Sequence, residues 1–276
     1  MKKYRIIAII LCVVLLISSF PTQTSAFERT GHDAYLEEVL FKNFKVIEND
    51  PSVKNEIHAL ESACYLTVDQ FNSNGQKDLE LLRAYNVKGL PNSISDISFN
   101  ASGKTHRSYT HRGWDYVASG MKEKWPIRQQ ILLNTVDKVF DFNGDEAKKE
   151  NFAKLLYYIH ILGDHTDDTS YMLENGLKMD VGGRKDKYDI IHELLDVFKV
   201  LFKDQKHTHK YRSLTSNLEQ INSKYSKLIG SEGGINSDEE FQLHQKYLED
   251  VMDILTYYIP EMLKDEMFFA EVFYKK

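Results

Sequence analysis

A chain of 276 residues with 41 acidic and 35 basic side chains carries a formal charge of −6, which leaves no cationic excess to hold a nucleic-acid backbone by charge alone. At this length, with 42% hydrophobic residues, an ordinary core can form without cross-links. Two cysteines exclude a disulfide scaffold.

Residues 1–26 open on Lys2, Lys3 and Arg5, run apolar from Ile6 to Ile17 and close on small residues at Ala26, the layout of a secretory signal peptide. The run is shorter than the ~20 residues that span a bilayer. Cys12 lies inside it, after Leu11, so a lipid-modified cysteine is not expected. Cleavage after Ala26 would make Phe27 the first residue and take the formal charge from −6 to −9, because three basic and no acidic residues leave. Cys64 would be the one remaining thiol, which rules out an internal disulfide. No later apolar run reaches membrane length. The expected mature chain, residues 27–276, is exported, extracellular or held at the cell surface, has no transmembrane segment, and is a monomer.

The dominant period along the mature chain is helical. Tyr35, Leu36, Val39 and Leu40 begin it, followed by Leu60, Ala63, Cys64, Thr67, Val68 and Phe71. Ile131, Leu132, Thr135 and Val139 form a third stripe, and Phe152, Leu155, Leu156, Ile159 and Leu162 a fourth. Ile190, Ile191, Leu194, Leu195, Phe198, Leu201 and Phe202 make the next, then Leu214, Leu218, Ile221, Tyr225 and Leu228, then Val251, Ile254, Leu255 and Tyr258. Turn-forming stretches separate them at 86–93, 143–146, 180–187 and 230–240. No stretch alternates as a strand would, none is long enough for an interdomain linker, and no repeat is visible. The expectation is one all-α domain of seven or more helices.

Chemistry concentrates where histidines meet carboxylates at helical spacing. In "YYIHILGDHTDD", His160 and Asp164 are four apart and share a face of a helix expected to end at Gly163 and Asp164. In "YDIIHELLDVF", His192 and Asp196 repeat the spacing. An imidazole and a carboxylate one turn apart can grip one divalent ion, the arrangement that recurs in zinc sites. His160 is flanked by Tyr157, Tyr158, Ile159, Ile161 and Leu162, so burial is expected, and a buried polar pair needs a partner. His207 and His209 lie in a basic, polar stretch read as a solvated face, and His58 and His244 show no convincing partners.

The stretch "FERTGH", residues 27–32, places Gly31 and His32 just after the expected cleavage point. A free α-amine and carbonyl on Phe27 would chelate a metal, with His32 folding back onto the same ion. An aromatic first residue with Gly-His at mature positions five and six resembles the S1/P1 nuclease family, and more loosely the zinc-dependent bacterial phospholipases C. "HILGDHT" is similar to the family's central helix motif, and "HELLD" to its downstream HxxxD. The resemblance implies an all-α domain of the phospholipase C/P1 nuclease type over residues 27–276, holding up to three zinc ions. Its implied ligands are Phe27, His32, Asp69, His111, His160, Asp164, Asp168, His192 and Asp196, with His106 competing with His111. Asp164 would bridge two zincs, and Asp164 and Asp69 would carry the catalytic centre.

Two departures stand out. The family follows its central motif with a His where this chain has Ser170, so the zinc at His192 and Asp196 would need Asp168, Asp167 or His165 instead, with Asp168 the first choice. Phe27 also replaces a Trp, a mild change because the ligands are backbone atoms. The function implied is a secreted zinc-dependent phosphodiester hydrolase in which zinc-activated hydroxide attacks phosphorus. Its substrate would be a phospholipid headgroup or single-stranded nucleic acid, with Trp114, Tyr116, Trp125, Phe268 and Phe269 as aromatic candidates for contact and core packing as their default. The alternative is a catalytically weak, metal-stabilised exported helical protein that binds a partner.

Overall fold

The computed structural model describes residues 35–40, 51–68, 74–98, 113–116, 119–174, 190–226 and 237–269. The signal-peptide reading of residues 1–26 lies outside them. Every regular element described is helical. Residues 35–40 form α1, followed by α2 (Pro51–Val68), α3 (Asn74–Ala84), α4 (Trp125–Val139), α5 (Glu146–Glu174), α6 (Ile190–Leu201), α7 (His209–Lys224) and α8 (Asp238–Leu263). No helix among the described residues is long and apolar enough to cross a membrane.

Turn chemistry delimits the helices. Asn86 and Gly89 take positive φ after α3, and Asn143 and Gly144 take it between α4 and α5, the conformation these residues adopt at least cost. Asp145 then accepts the backbone N–H of Lys148 and starts α5, while Lys203 reaches its other oxygen; both contacts hold its carboxyl below the usual range. Thr208 caps α7 by accepting from Tyr211 N–H, and Ser237 caps α8 by accepting from Glu240 N–H.

α5 is the hub: α2, α4, α6 and α8 all pack against it, and α7 closes over α6 and α8. Its residues from Leu155 to Leu162 are buried without interruption, so the helix is enclosed on every side along its middle. At its N-terminal end Phe152 joins Phe140, Phe142, Phe268 and Phe269 in one aromatic cluster, with Phe140 and Phe152 centroids 4.8 Å apart. Phe268 and Phe269 are thereby core residues, as are Trp114 and Trp125, and Tyr116 alone of the five aromatic candidates is exposed. The cysteine among the described residues, Cys64, is buried on α2.

One charge is buried in this apolar setting. Arg128 of α4 is fully enclosed; its Nε donates to Ile97 O at 2.9 Å and a terminal nitrogen donates to Thr67 O at 3.1 Å. Thr67 returns the contact, its hydroxyl donating to Arg128 O at 3.0 Å. The carbonyls of the last turn of α2 have no partner within their own helix and carry the negative end of its dipole, so the guanidinium meets two needs at once. Arg128→Met keeps much of the volume but leaves two buried carbonyls without a donor. Thermal or urea denaturation should show a loss of about 2–4 kcal/mol; a loss below ~0.5 kcal/mol would mean the contacts are incidental.

Candidate metal centre

His160 and Asp164 sit one turn apart in the enclosed part of α5, at 1% and 0% exposure. The helix does not end between them, contrary to the expectation from sequence, but continues through Gly163 and Asp164 to Glu174. The physical reason is a close approach. A Cβ added at Gly163 would lie 2.8 Å from Cδ2 of Tyr35, so the missing side chain seats the α1 ring against the backbone of α5. Glycine in a helix interior costs only about 1 kcal/mol relative to alanine, which this packing offsets.

A second segment docks beside it. Trp114 donates its N–H to the Tyr158 hydroxyl at 3.2 Å, and its carbonyl accepts from Trp125 Nε1 at 3.0 Å and Gln129 Nε2 at 2.7 Å. The Trp114 ring meets Tyr157 edge-on, centroids 5.5 Å apart. Tyr157, His160 and Asp164 follow i, i+3, i+7, so this contact lies on the histidine's own face, one turn toward the N-terminus. The Tyr158 hydroxyl donates onward to Glu193 of α6 at 3.0 Å. Residues 113–116 are thus pinned to α4 and α5 together.

The second His-Asp pair is placed differently. His192 and Asp196 are both on the exposed side of α6, whose core side is formed by Ile190, Ile191, Leu194, Val197, Phe198 and Leu201. His192 Nε2 is 3.1 Å from Asn222 Nδ2, and Asp196 accepts from Lys199 Nζ at 2.6 Å. The pair lines an open cleft of about 390 Å³ with Tyr211, Thr215, Glu219 and Asn222 of α7. The structure therefore places His160 and Asp164 one turn apart in the buried part of α5, and His192 and Asp196 one turn apart on the exposed side of α6.

Asp168 belongs to the helical span of α5 one turn after Asp164, with its side chain outside the described ones. Phe27, His32, Asp69, His106 and His111 lie outside the described residues. Among the described residues no three His, Cys, Asp or Glu side chains form a metal-holding group. No protein family, curated protein or solved structure matches this chain.

The sequence reading did not single out Glu61 or Asp78, and it left His244 without a role. α2 buries Glu61, α3 buries Asp78, and α8 buries His244. Asp78 accepts the Ser62 hydroxyl at 2.9 Å. A signal existed for His244, which precedes Tyr247, Leu248, Val251 and Leu255 on one helical stripe.

Two measurements probe this packing. Gly163→Ala should gain helix propensity yet lose about 1–3 kcal/mol by overpacking against Tyr35, and the loss should vanish when Tyr35→Ala is already present; a stabilising Gly163→Ala would refute the contact. Burial, then the Glu56 carboxylate, raises the Tyr85 hydroxyl to about 12, and burial raises Tyr157 and Tyr158 further. Folded-state values above the unfolded one mean stability is intact below about pH 10 and falls as pH rises through the folded values. Urea unfolding between about pH 9 and pH 12 should show that decline, and Tyr85→Phe should make it shallower; a flat profile would contradict it.

Proposed function

We propose that the chain is an exported zinc-dependent phosphodiester hydrolase whose metal centre is built on His160 and Asp164. The observation that carries this reading is the burial of that pair where α1 and the 113–116 segment both dock on α5. Imidazole nitrogen and carboxylate oxygen are the donor types zinc takes.

His32, His111 and Asp69 are close in sequence to elements that pack on α5. His32 is three residues before Tyr35, which packs on Gly163, and His111 is three residues before Trp114, which packs on Tyr157. Asp69 directly follows Val68, the last residue of α2, a helix that packs on α5 and is fastened at Thr67 by Arg128.

When bound, zinc supplies Lewis acidity toward a phosphoryl oxygen and activates water near neutral pH. The chain's own part is to fix the donors and exclude bulk water: His160 and Asp164 are locked on a helix that cannot tilt without disturbing four neighbours. Trp114, Trp125, Phe268 and Phe269 are spent on the core, which supports a substrate held at its phosphate rather than by a row of stacked bases. A phospholipid headgroup fits that better than a long single strand, in line with the acidic charge. A second reading, a metal-stabilised binder with little catalysis, is favoured by the outward orientation of His192 and Asp196.

Asp164→Asn on the chain beginning at Phe27 separates the two readings. Hydrolysis of phosphatidylcholine vesicles, or of single-stranded DNA or RNA, should fall about 100-fold or more while zinc content drops and helicity is retained. An unaltered chain with bound zinc but no activity on any of these substrates would leave the binding protein as the better account.

A further inference from the structure

We infer that His192 and Asp196 stand outside the metal centre, and that this chain loads at most two zinc ions rather than the three its motif resemblance implies. The inference rests on the reading of His160 and Asp164 as the metal centre and limits what that centre contains.

Two independent features of the helices carry it. The first is the phase of α6. His192 is two residues from both Ile190 and Leu194, and Asp196 is two from both Leu194 and Phe198. Each two-residue step turns about 200° around a helix axis. Ile190, Leu194 and Phe198 are buried, so the His-Asp pair faces almost directly away from the core that α6 shares with α5.

The second is where α6 sits. Its Glu193, at the edge of that apolar face, accepts the hydroxyl of Tyr158, while His160 and Asp164 are enclosed at 1% and 0% exposure. Asp164 shares the side of His160, and the Tyr35 ring at Gly163 marks that side as the one covered by α1. One pair is thus enclosed within the core and the other is on the solvent side of α6.

The separation follows from ordinary helix dimensions. Packed axes lie about 8–10 Å apart, and the far side of α6 adds about 5 Å, so His192 and Asp196 are roughly 13–15 Å from the axis of α5. Metals in a shared hydrolytic site are about 3.5–4 Å apart, with nitrogen ligands at about 2 Å. Rotating α6 to correct this would expose its apolar face and bury Asp196 and Lys199. Ser170, standing where the resembled family has a histidine, agrees: the position that would complete a third site with His192 and Asp196 carries a poor zinc ligand. What remains at His192 and Asp196 is a polar cleft against α7, joined to Asn222 and Lys199.

The test is zinc per chain by elemental analysis after zinc loading and dialysis, on three proteins starting at Phe27: the unaltered chain, the double variant His192→Ala with Asp196→Ala, and Asp164→Asn. The exposed positions of the first pair should leave folding intact, checked by circular dichroism. One or two zinc ions in the unaltered chain, the same number in the double variant and fewer in Asp164→Asn support the inference. Three ions, or one fewer in the double variant, overturn it while leaving the α5 centre standing. No zinc in the unaltered chain, or an unchanged content in Asp164→Asn, removes the α5 centre itself and the inference with it.

Discussion

An imidazole and a carboxylate enclosed by apolar side chains on one turn of a fully packed helix form the constraint around which this molecule is arranged. Neither group can turn to water, because α5 is covered along its middle and α1 closes over Gly163. Burial of such groups is costly unless each has a partner. Arg128 shows how the same chain treats a buried charge with a purely structural task, satisfying it through Ile97 O and Thr67 O.

Most of the architecture was legible because the apolar stripes alone fix which face of each helix is inside. The stripes through Ile131, Leu155, Leu194, Leu218 and Leu255 all lie in the core, and the Asn-Gly pair at 143–144 turns the chain where its dihedral preference says it should. Gly163 was misread because glycine signals both a helix end and a tight crossing, and only the position of Tyr35 distinguishes them. Long-range contacts of that kind leave no local trace.

The candidate site was half legible for a related reason. An i,i+4 His-Asp pair looks the same wherever it lies on a helix, so spacing treats His160–Asp164 and His192–Asp196 as equals. Stripe phase does not. Tyr157, Ile161 and Leu162 surround the first pair with buried neighbours, whereas the second falls in the gaps of the stripe Ile190, Ile191, Leu194, Phe198. One motif thus occurs twice in opposite environments. The buried copy is enclosed in the core, and the surface copy is tied to a lysine and an asparagine at the mouth of a cleft.

The central claim is that metal binds on α5, and anomalous diffraction at the zinc absorption edge from crystals of the chain starting at Phe27 tests it most directly. The account predicts one or two peaks beside His160 and Asp164, under α1, and none between α6 and α7. A peak at His192 and Asp196 with nothing on α5, or no peak from zinc-replete crystals, would contradict it.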